Sequence, residues 1–162
     1  MKRTKLFSSV VLAGAFVALV VTGCKKNNDG GGGTSISATV DATAWQSQYV
    51  NGFKSGGETN LVGYYGKSGD TSIISIQVHD SVKVNEVTPF DILTNVTYTK
   101  SDGTQYIAES YTGAHGTVTV TSWDKNADKI AGTFSGVLYN SNDWDDSIKI
   151  DNGHFSSTYI VY

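Results

Sequence analysis

The sequence contains very little cysteine, proline and arginine. Its 162 residues include one cysteine, Cys24, one proline, Pro89, and one arginine, Arg3. A single cysteine cannot form a disulfide within its own chain, so no disulfide framework is expected to support the fold. Beyond residue 23, nine lysines stand against fifteen acidic residues, a side-chain net charge of −6. That balance excludes the basic patch that nucleic-acid binding needs.

The first segment has the order of an export signal. Lys2, Arg3 and Lys5 precede an uninterrupted apolar or small run, LFSSVVLAGAFVALVV, at 6–21. This run is shorter than the roughly 20 apolar residues of a transmembrane helix. It fits the apolar region of a signal peptide, which is removed and takes no part in the fold. We therefore predict a signal peptide at 1–23.

The residues Val-Thr-Gly-Cys at 21–24 resemble the lipobox of bacterial lipoproteins. In that family the cysteine sulfur receives a diacylglyceryl group, and the signal peptidase cleaves before it. The resemblance implies that Cys24 is lipidated and anchors the chain in the cell envelope. Lys25 follows Cys24 where inner-membrane lipoproteins have Asp, which implies the outer membrane and leaves the leaflet open. The alternative is an ordinary secretory signal with a chance cysteine.

A polar, glycine-rich stretch, CKKNNDGGGGTS at 24–35, follows the signal peptide. Its composition predicts a flexible tether that holds the folded part away from the bilayer. The remainder, 36–162, has the length of a single domain. The chain is therefore predicted to consist of a signal peptide, a lipidated tether and one folded domain.

Residues 36–162 are predicted to form an all-β domain, because apolar residues recur with a period of two. In KIAGTFSGVLYN at 129–140, Ile130, Phe134 and Leu138 share one face. A tight turn at Ser-Asp-Gly, 101–103, separates two such segments and predicts a hairpin. About nine strands at short spacing predict an antiparallel β-sandwich or an up-and-down barrel.

The same alternation predicts two details near the ends of strands. In GTVTVTSW at 116–123, Val118 and Val120 lie on one face and Trp123 lies on the other. In HFSSTYIVY at 154–162, Phe155, Tyr159 and Val161 lie together on one face. Both expectations assume an uninterrupted strand.

Three stretches resemble a family of small uncharacterised all-β lipid-anchored proteins of Gram-negative bacteria. They are ATVD at 38–41 with Trp45, GTVTV at 116–120 with Trp-Asp at 123–124, and IAGTF at 130–134. The chain departs from the family pattern at Ala42, where the family usually has glycine for a turn. The resemblance implies an all-β fold and the same anchor, and it implies no activity.

The segment 140–146 is the strongest candidate for a binding loop. Asp143, Asp145 and Asp146 repel one another unless they are solvated or bridged by a cation, which makes them candidate calcium ligands. Trp144 could stack on a sugar ring, with Asn142 as a neighbouring contact. The alternative is a solvated acidic hairpin. A second segment, DKNAD at 124–128, has only part of a calcium-loop pattern and favours a polar turn.

No catalytic constellation is recognisable. There is no G-x-S-x-G elbow, the three histidines lack close ligand spacing, and no pair of carboxylates is singled out. We predict that the chain is not an enzyme and needs no cofactor, calcium excepted. The leading hypothesis is a lipid-anchored envelope protein with a non-catalytic binding or interaction domain. A calycin-like carrier of a small apolar ligand and a glycan-directed hydrolase are the alternatives. Expected partners are the membrane, a glycan, an apolar ligand or an envelope protein.

Overall fold

The computed structural model describes residues 33–67, 70–108 and 114–162. The compact unit that contains them spans Gly32–Tyr162. The predicted signal peptide, Cys24 and the tether as far as residue 32 lie outside the described residues. Among the described residues, no helix has the length and apolar character needed to cross a membrane.

The fold class is all-β, as predicted. Twelve strands are present in the described residues and belong to one mixed sheet. Four of them, β2, β6, β8 and β12, have only two to four residues. Strands this short show no alternating pattern, which is why the sequence predicts fewer. The strands are β1 (Ser35–Val40), β2 (Thr43–Gln46), β3 (Tyr49–Ser55), β4 (Glu58–Lys67), β5 (Asp70–His79), β6 (Val87–Pro89), β7 (Thr94–Thr99), β8 (Gln105–Ile107), β9 (His115–Asp124), β10 (Lys129–Asn140), β11 (Asp143–Thr158) and β12 (Ile160–Val161).

The sheet curls back on itself in a barrel-like way. The strands follow the order β12-β3-β4-β5-β7-β8-β10-β11-β1-β2, with β9 pairing with β10 and β6 pairing with β9. Strand β12 continues β11 after Tyr159, and β3 continues β2 after residues 47–48. The first two strands of the path, β12 and β3, are therefore direct continuations of β11 and β2 near its other end. Strand β3 also contacts both β1 and β11. All neighbouring strands are antiparallel except β12 and β3, which are parallel.

The interior of the curled sheet is filled by side chains. The predicted inner face of β10 is confirmed, because Ile130, Phe134 and Leu138 are buried while Ser135 is exposed. The hairpin at 101–103 is confirmed as well, with the Gly103 N–H donating to the Lys100 carbonyl. The largest fully buried side chains are those of Tyr106, Ile36, Leu61, Ile74, Ile76, Ile130, Leu138, Ile150, Val78, Val96, Val118 and Val120.

Two predicted orientations are wrong, each because a strand is interrupted. A register shift in the β9–β10 pairing leaves Thr121 without a partner and places Trp123 opposite Ile130. The extra residue turns Trp123 to the core-facing side, where it packs against the core. Val161 is 55% exposed, because the chain leaves β11 after Thr158 and pairs with β3 instead.

Strands β10 and β11 are joined by two aromatic–glycine pairs. Phe134 lies opposite Gly153, and Phe155 lies opposite Gly132. A Cβ atom built on Gly153 would stand 2.7 Å from the Phe134 ring, and one on Gly132 would stand 2.5 Å from the Phe155 ring. Each ring therefore covers the bare backbone of the glycine across from it. Such pairs allow a sheet to bend without opening a gap in the core.

Candidate functional site

The predicted binding loop, 140–146, is the hairpin between β10 and β11. Asn140 ends β10, and its side-chain oxygen accepts the Asn142 N–H at 3.0 Å. Asp143 begins β11, and its carboxylate accepts the Asp145 N–H at 3.2 Å. Trp144 is 46% exposed. The two candidate ligand contacts, Asn142 and Trp144, are thus both at the solvent-exposed tip of the hairpin.

Asp146 belongs to a separate network on the inner side of this hairpin. The Tyr106 hydroxyl donates to Asp146 Oδ2 at 2.7 Å, and the Asn140 amide donates to the same oxygen at 2.9 Å. The Lys100 ammonium donates to the Tyr106 hydroxyl at 2.6 Å and lies 4.6 Å from the centroid of its ring. The network links the β7–β8 hairpin to the β10–β11 hairpin.

The pKa values in this network are shifted by its hydrogen bonds and by burial. The bonds from Tyr106 and Asn140 lower the pKa of the Asp146 carboxyl. Desolvation raises the pKa of the Tyr106 hydroxyl. The bond to Tyr106 raises the pKa of Lys100. Each perturbed group is accounted for by a partner or by burial within the network, so these shifts need no ligand to explain them.

The structure does not bring the three candidate calcium ligands together. Asp143 and Asp145 are exposed, whereas Asp146 accepts hydrogen bonds on the inner side. Across the described ranges, no group of three or more His, Cys, Asp or Glu side chains is close enough to hold a metal ion. Calcium binding by this hairpin stays a prediction that the described geometry does not support.

The second acidic segment, 124–128, forms a polar turn between β9 and β10. Asp124 Oδ1 accepts the N–H groups of Asn126 and Ala127 at 2.9 and 3.0 Å. Asp128 has a positive φ of 49°, which suits the tight turn. The Asp124 oxygen is thus used to close the hairpin, in agreement with the turn that the sequence favours.

A groove that the sequence analysis does not predict lies along the pairing of β3 with β12. It encloses about 620 Å³, and Thr34, Tyr49, Asn51, Phe53, Ile160 and Tyr162 are among its lining residues. Among the residues that the structure describes, no acidic, basic or histidine side chain lines it. We call this feature the β3–β12 groove. Its volume lies within the range of roughly 300–1,000 Å³ that is typical of ligand sites.

Large apolar side chains stand exposed in the β3–β12 groove. Phe53 is 39% exposed, Ile160 63% and Tyr162 83%. Tyr49 is also exposed, and its ring stacks on Tyr64 of β4 with the centroids 4.6 Å apart. Contiguous exposed apolar surface of this kind marks an interaction site more often than scattered single residues do.

Local backbone geometry explains why the groove forms. Residues of β3 alternate between exposed and half-buried positions, so Tyr49, Asn51 and Phe53 all point outwards. Gly52 faces the end of β11, where a Cβ atom would stand 2.2 Å from the Thr158 carbonyl oxygen. The missing side chain lets β12 approach β3 closely enough to pair. The outward alternation of large residues in YVNGFKS is the one sequence signal that points to this surface.

A second, smaller cleft of about 260 Å³ lies on the outer face of β9, β10 and β11. Its lining includes Thr117, Thr133, Ser135 and His154, and no carboxylate from the described part of the chain. Hydroxyl groups and one imidazole therefore meet there without an acidic group to orient the imidazole. The cleft is lined mainly by polar side chains, whereas the β3–β12 groove contains four exposed large apolar or aromatic side chains, those of Tyr49, Phe53, Ile160 and Tyr162.

Comparison of the chain with protein-family models, with curated proteins and with solved structures finds no match.

Proposed function

We propose that this chain is a lipid-anchored protein of the cell envelope whose all-β domain has a non-catalytic binding or interaction role. The anchor follows from the order of basic residues, apolar run and Cys24 in the sequence. The interaction role rests on one observation, the uncharged β3–β12 groove with its exposed Phe53, Ile160 and Tyr162. Tethering such a domain raises its effective concentration at the membrane surface.

The position of the groove favours an interaction module over an internal carrier. A carrier needs a cavity lined by alternate residues of its strands. Here those alternate positions are occupied by fully buried side chains such as Ile74, Ile76 and Leu138. The accessible apolar surface lies on the outside of the curled sheet, which suits contact with a partner surface.

The titratable groups favour a non-catalytic role. A hydrolase needs converging acids or bases with shifted pKa values in an accessible cleft. The shifted groups Lys100, Tyr106 and Asp146 bond to one another between two hairpins. The described side chains that line the β3–β12 groove include tyrosine hydroxyls and no carboxylate, amine or imidazole.

Photo-crosslinking tests the interaction role. Benzoylphenylalanine at position 53 keeps the phenyl ring of Phe53 and places the reactive benzoyl group in the groove. The matched control carries it at Ile92, which is 88% exposed and lies outside the groove. We expect adducts in envelope preparations from position 53 and not from position 92. Equal yields from the two positions would contradict a specific role for the groove.

The anchor is tested by Cys24→Ser. Acylation adds about 0.8 kcal/mol of membrane affinity per buried methylene, so losing it should release the protein from the membrane fraction. We expect the wild-type chain, and not the variant, to carry the mass of the lipid. A variant that stays membrane-bound with unchanged mass would show that Cys24 is not the anchor.

A further inference from the structure

We infer that the partner of the β3–β12 groove is the lipid interface, so that the tether, although its composition predicts a spacer, lets the domain rest on the bilayer with this groove facing it. The inference deepens the proposed function and rests on attachment of the chain at Cys24. It follows from where the tether enters the fold and from the chemistry of the groove lining.

The tether enters the folded domain at the groove itself. Thr34 is one of the lining residues, and β1 begins at the next residue, with Ser35 opposite Ser156 of β11. Ten residues of chain connect Cys24 to Thr34. Even fully extended, ten residues span at most about 35 Å. The groove is therefore joined directly to the tether, whose length limits how far Thr34 can lie from Cys24.

The side chains of the groove suit the boundary between lipid and water. Tyrosine rings combine an apolar body with a polar tip and are enriched at membrane interfaces. The groove presents Tyr49 and Tyr162 beside the apolar Phe53 and Ile160. Asn51 adds an amide that can bond to headgroup oxygens. Placing these groups at the interface removes apolar surface from water without burying a charge.

Charge excludes an electrostatic mode of contact. The chain beyond residue 23 carries a net charge of −6, which repels anionic lipids. The nearest lysine in β3, Lys54, is paired with Asp80 at 2.7 Å. Contact through the groove is therefore apolar, and we expect it on uncharged lipid and with little dependence on salt.

Hydrogen–deuterium exchange on the chain from Cys24 to Tyr162 tests this orientation. The chain is attached at Cys24 to phosphatidylcholine vesicles, through its native acyl groups or through a maleimide lipid. The reference is the same chain in solution with its thiol capped. We expect amides of 49–55 and 160–162 to exchange about tenfold more slowly on vesicles. Amides of 80–93, which include the exposed Ile92, should exchange at the same rate in both forms.

Variants show whether the slower exchange is caused by the groove or by the tether. Replacing Phe53, Ile160 and Tyr162 by serine should abolish the slowing, while Ile92→Ser should retain it. An unchanged melting temperature shows that the triple variant is folded. Equal exchange in both forms, or equal slowing over 80–93, overturns the inference. Slowing caused by soluble neutral glycans instead of vesicles also overturns it, while leaving an interaction role intact. Flotation with vesicles and the mass of the lipid attached at Cys24 test the anchor separately.

Discussion

At the scale of single residues, the turn between β1 and β2 shows the energetic cost of alanine at a position that favours glycine. Val40 pairs with Thr43, so Asp41 and Ala42 are the two residues of a tight hairpin. Both have positive φ, 43° and 65°, which is the geometry of a type I′ turn. Asp41 gains from this position, because its carboxylate accepts the Lys149 N–H at 2.8 Å. Ala42 has no such compensation, since its methyl group crowds the left-handed conformation.

Ala42→Gly should therefore stabilise the domain. Glycine removes the strain of the left-handed conformation, and part of that gain is offset by the greater entropy of the unfolded chain. We expect a net gain of about 0.5–1 kcal/mol in the free energy of unfolding by urea titration. The matched control is Ala44→Gly in the exposed part of β2, which should lose about 0.5–1 kcal/mol. A loss at both positions would contradict the strained turn.

The aromatic–glycine pairs predict that a substitution at Gly153 lowers the stability of the domain, opposite to the effect of Ala42→Gly. Alanine there would place a methyl carbon 2.4 Å from the Phe134 carbonyl oxygen and 2.7 Å from its ring. The strand must shift to relieve this crowding, so we expect Gly153→Ala to lose about 1–3 kcal/mol of stability. Ser135→Ala, on the exposed face of β10, should change stability by less than about 0.5 kcal/mol. Similar small effects of the two variants would contradict the tight packing.

At the scale of elements, the Lys100–Tyr106–Asp146 network fastens two hairpins that pair only briefly. Strand β8 meets β10 at two residue pairs, Tyr139–Ile107 and Asn140–Tyr106. The Tyr106 hydroxyl adds one bond to Lys100 in the turn region of its own hairpin and one to Asp146 of the other. The side-chain network therefore supplements a short backbone ladder.

Tyr106→Phe should loosen this junction. The substitution keeps the buried ring and removes the hydroxyl, which leaves the Lys100 ammonium and the Asp146 carboxylate without that partner. We expect a loss of about 1–3 kcal/mol in the free energy of unfolding, because both bonds involve charged groups. Tyr49→Phe, at an exposed hydroxyl, should change stability by less than about 0.5 kcal/mol. Faster amide exchange in β8 would locate the loss at this junction.

The elements also show how far the sequence could predict the structure. Alternation identified the inner face of β10 because that strand is long and one face is buried. It failed for Trp123, because one unpartnered residue, Thr121, reverses every side chain beyond it. The bulge is set by how β9 pairs with the next strand, β10, across the turn at 124–128. The residues around it carry no local signal of it.

At the scale of the whole molecule, stability should depend on pH through the same network. The pKa of Asp146 is lowered on folding, so its contribution is present above the ordinary value of 3.8 and is lost as pH falls through the lower folded value. Asp102 acts in the same direction, because the Thr104 N–H lowers its pKa. The pKa of Lys100 is raised, so its contribution is present below 10.5 and is lost as pH rises through the higher folded value.

Unfolding free energies measured across this range should form a plateau near neutral pH and decline at both ends. Asp146→Asn should make the acid decline shallower without abolishing it, since Asp102 still contributes. Asp143→Asn is the matched control, because its exposed carboxylate accepts only a local bond within the hairpin. An acid decline of the same slope in Asp146→Asn and the wild type would contradict the role of this carboxylate.

The β3–β12 groove could be predicted only in part, because it is a property of the whole sheet. The alternation in β3, which is visible in the sequence, places Tyr49 and Phe53 on one face. Their neighbours Ile160 and Tyr162 come from the other end of the folded segment and are brought there by pairing alone. The sequence points to the hairpin at 140–146 instead, because its acidic residues and tryptophan are adjacent in the chain.

The parallel pairing of β12 with β3 also has a kinetic consequence. Phe53 and Ile160 are separated by most of the folded domain in the sequence, so their pairing has a high sequence separation. Contacts of that kind carry a large loop-closure entropy and tend to form late in folding. A partly folded chain thus has β3 without β12 and presents no groove. Completion of the fold would then determine when the contact surface first exists.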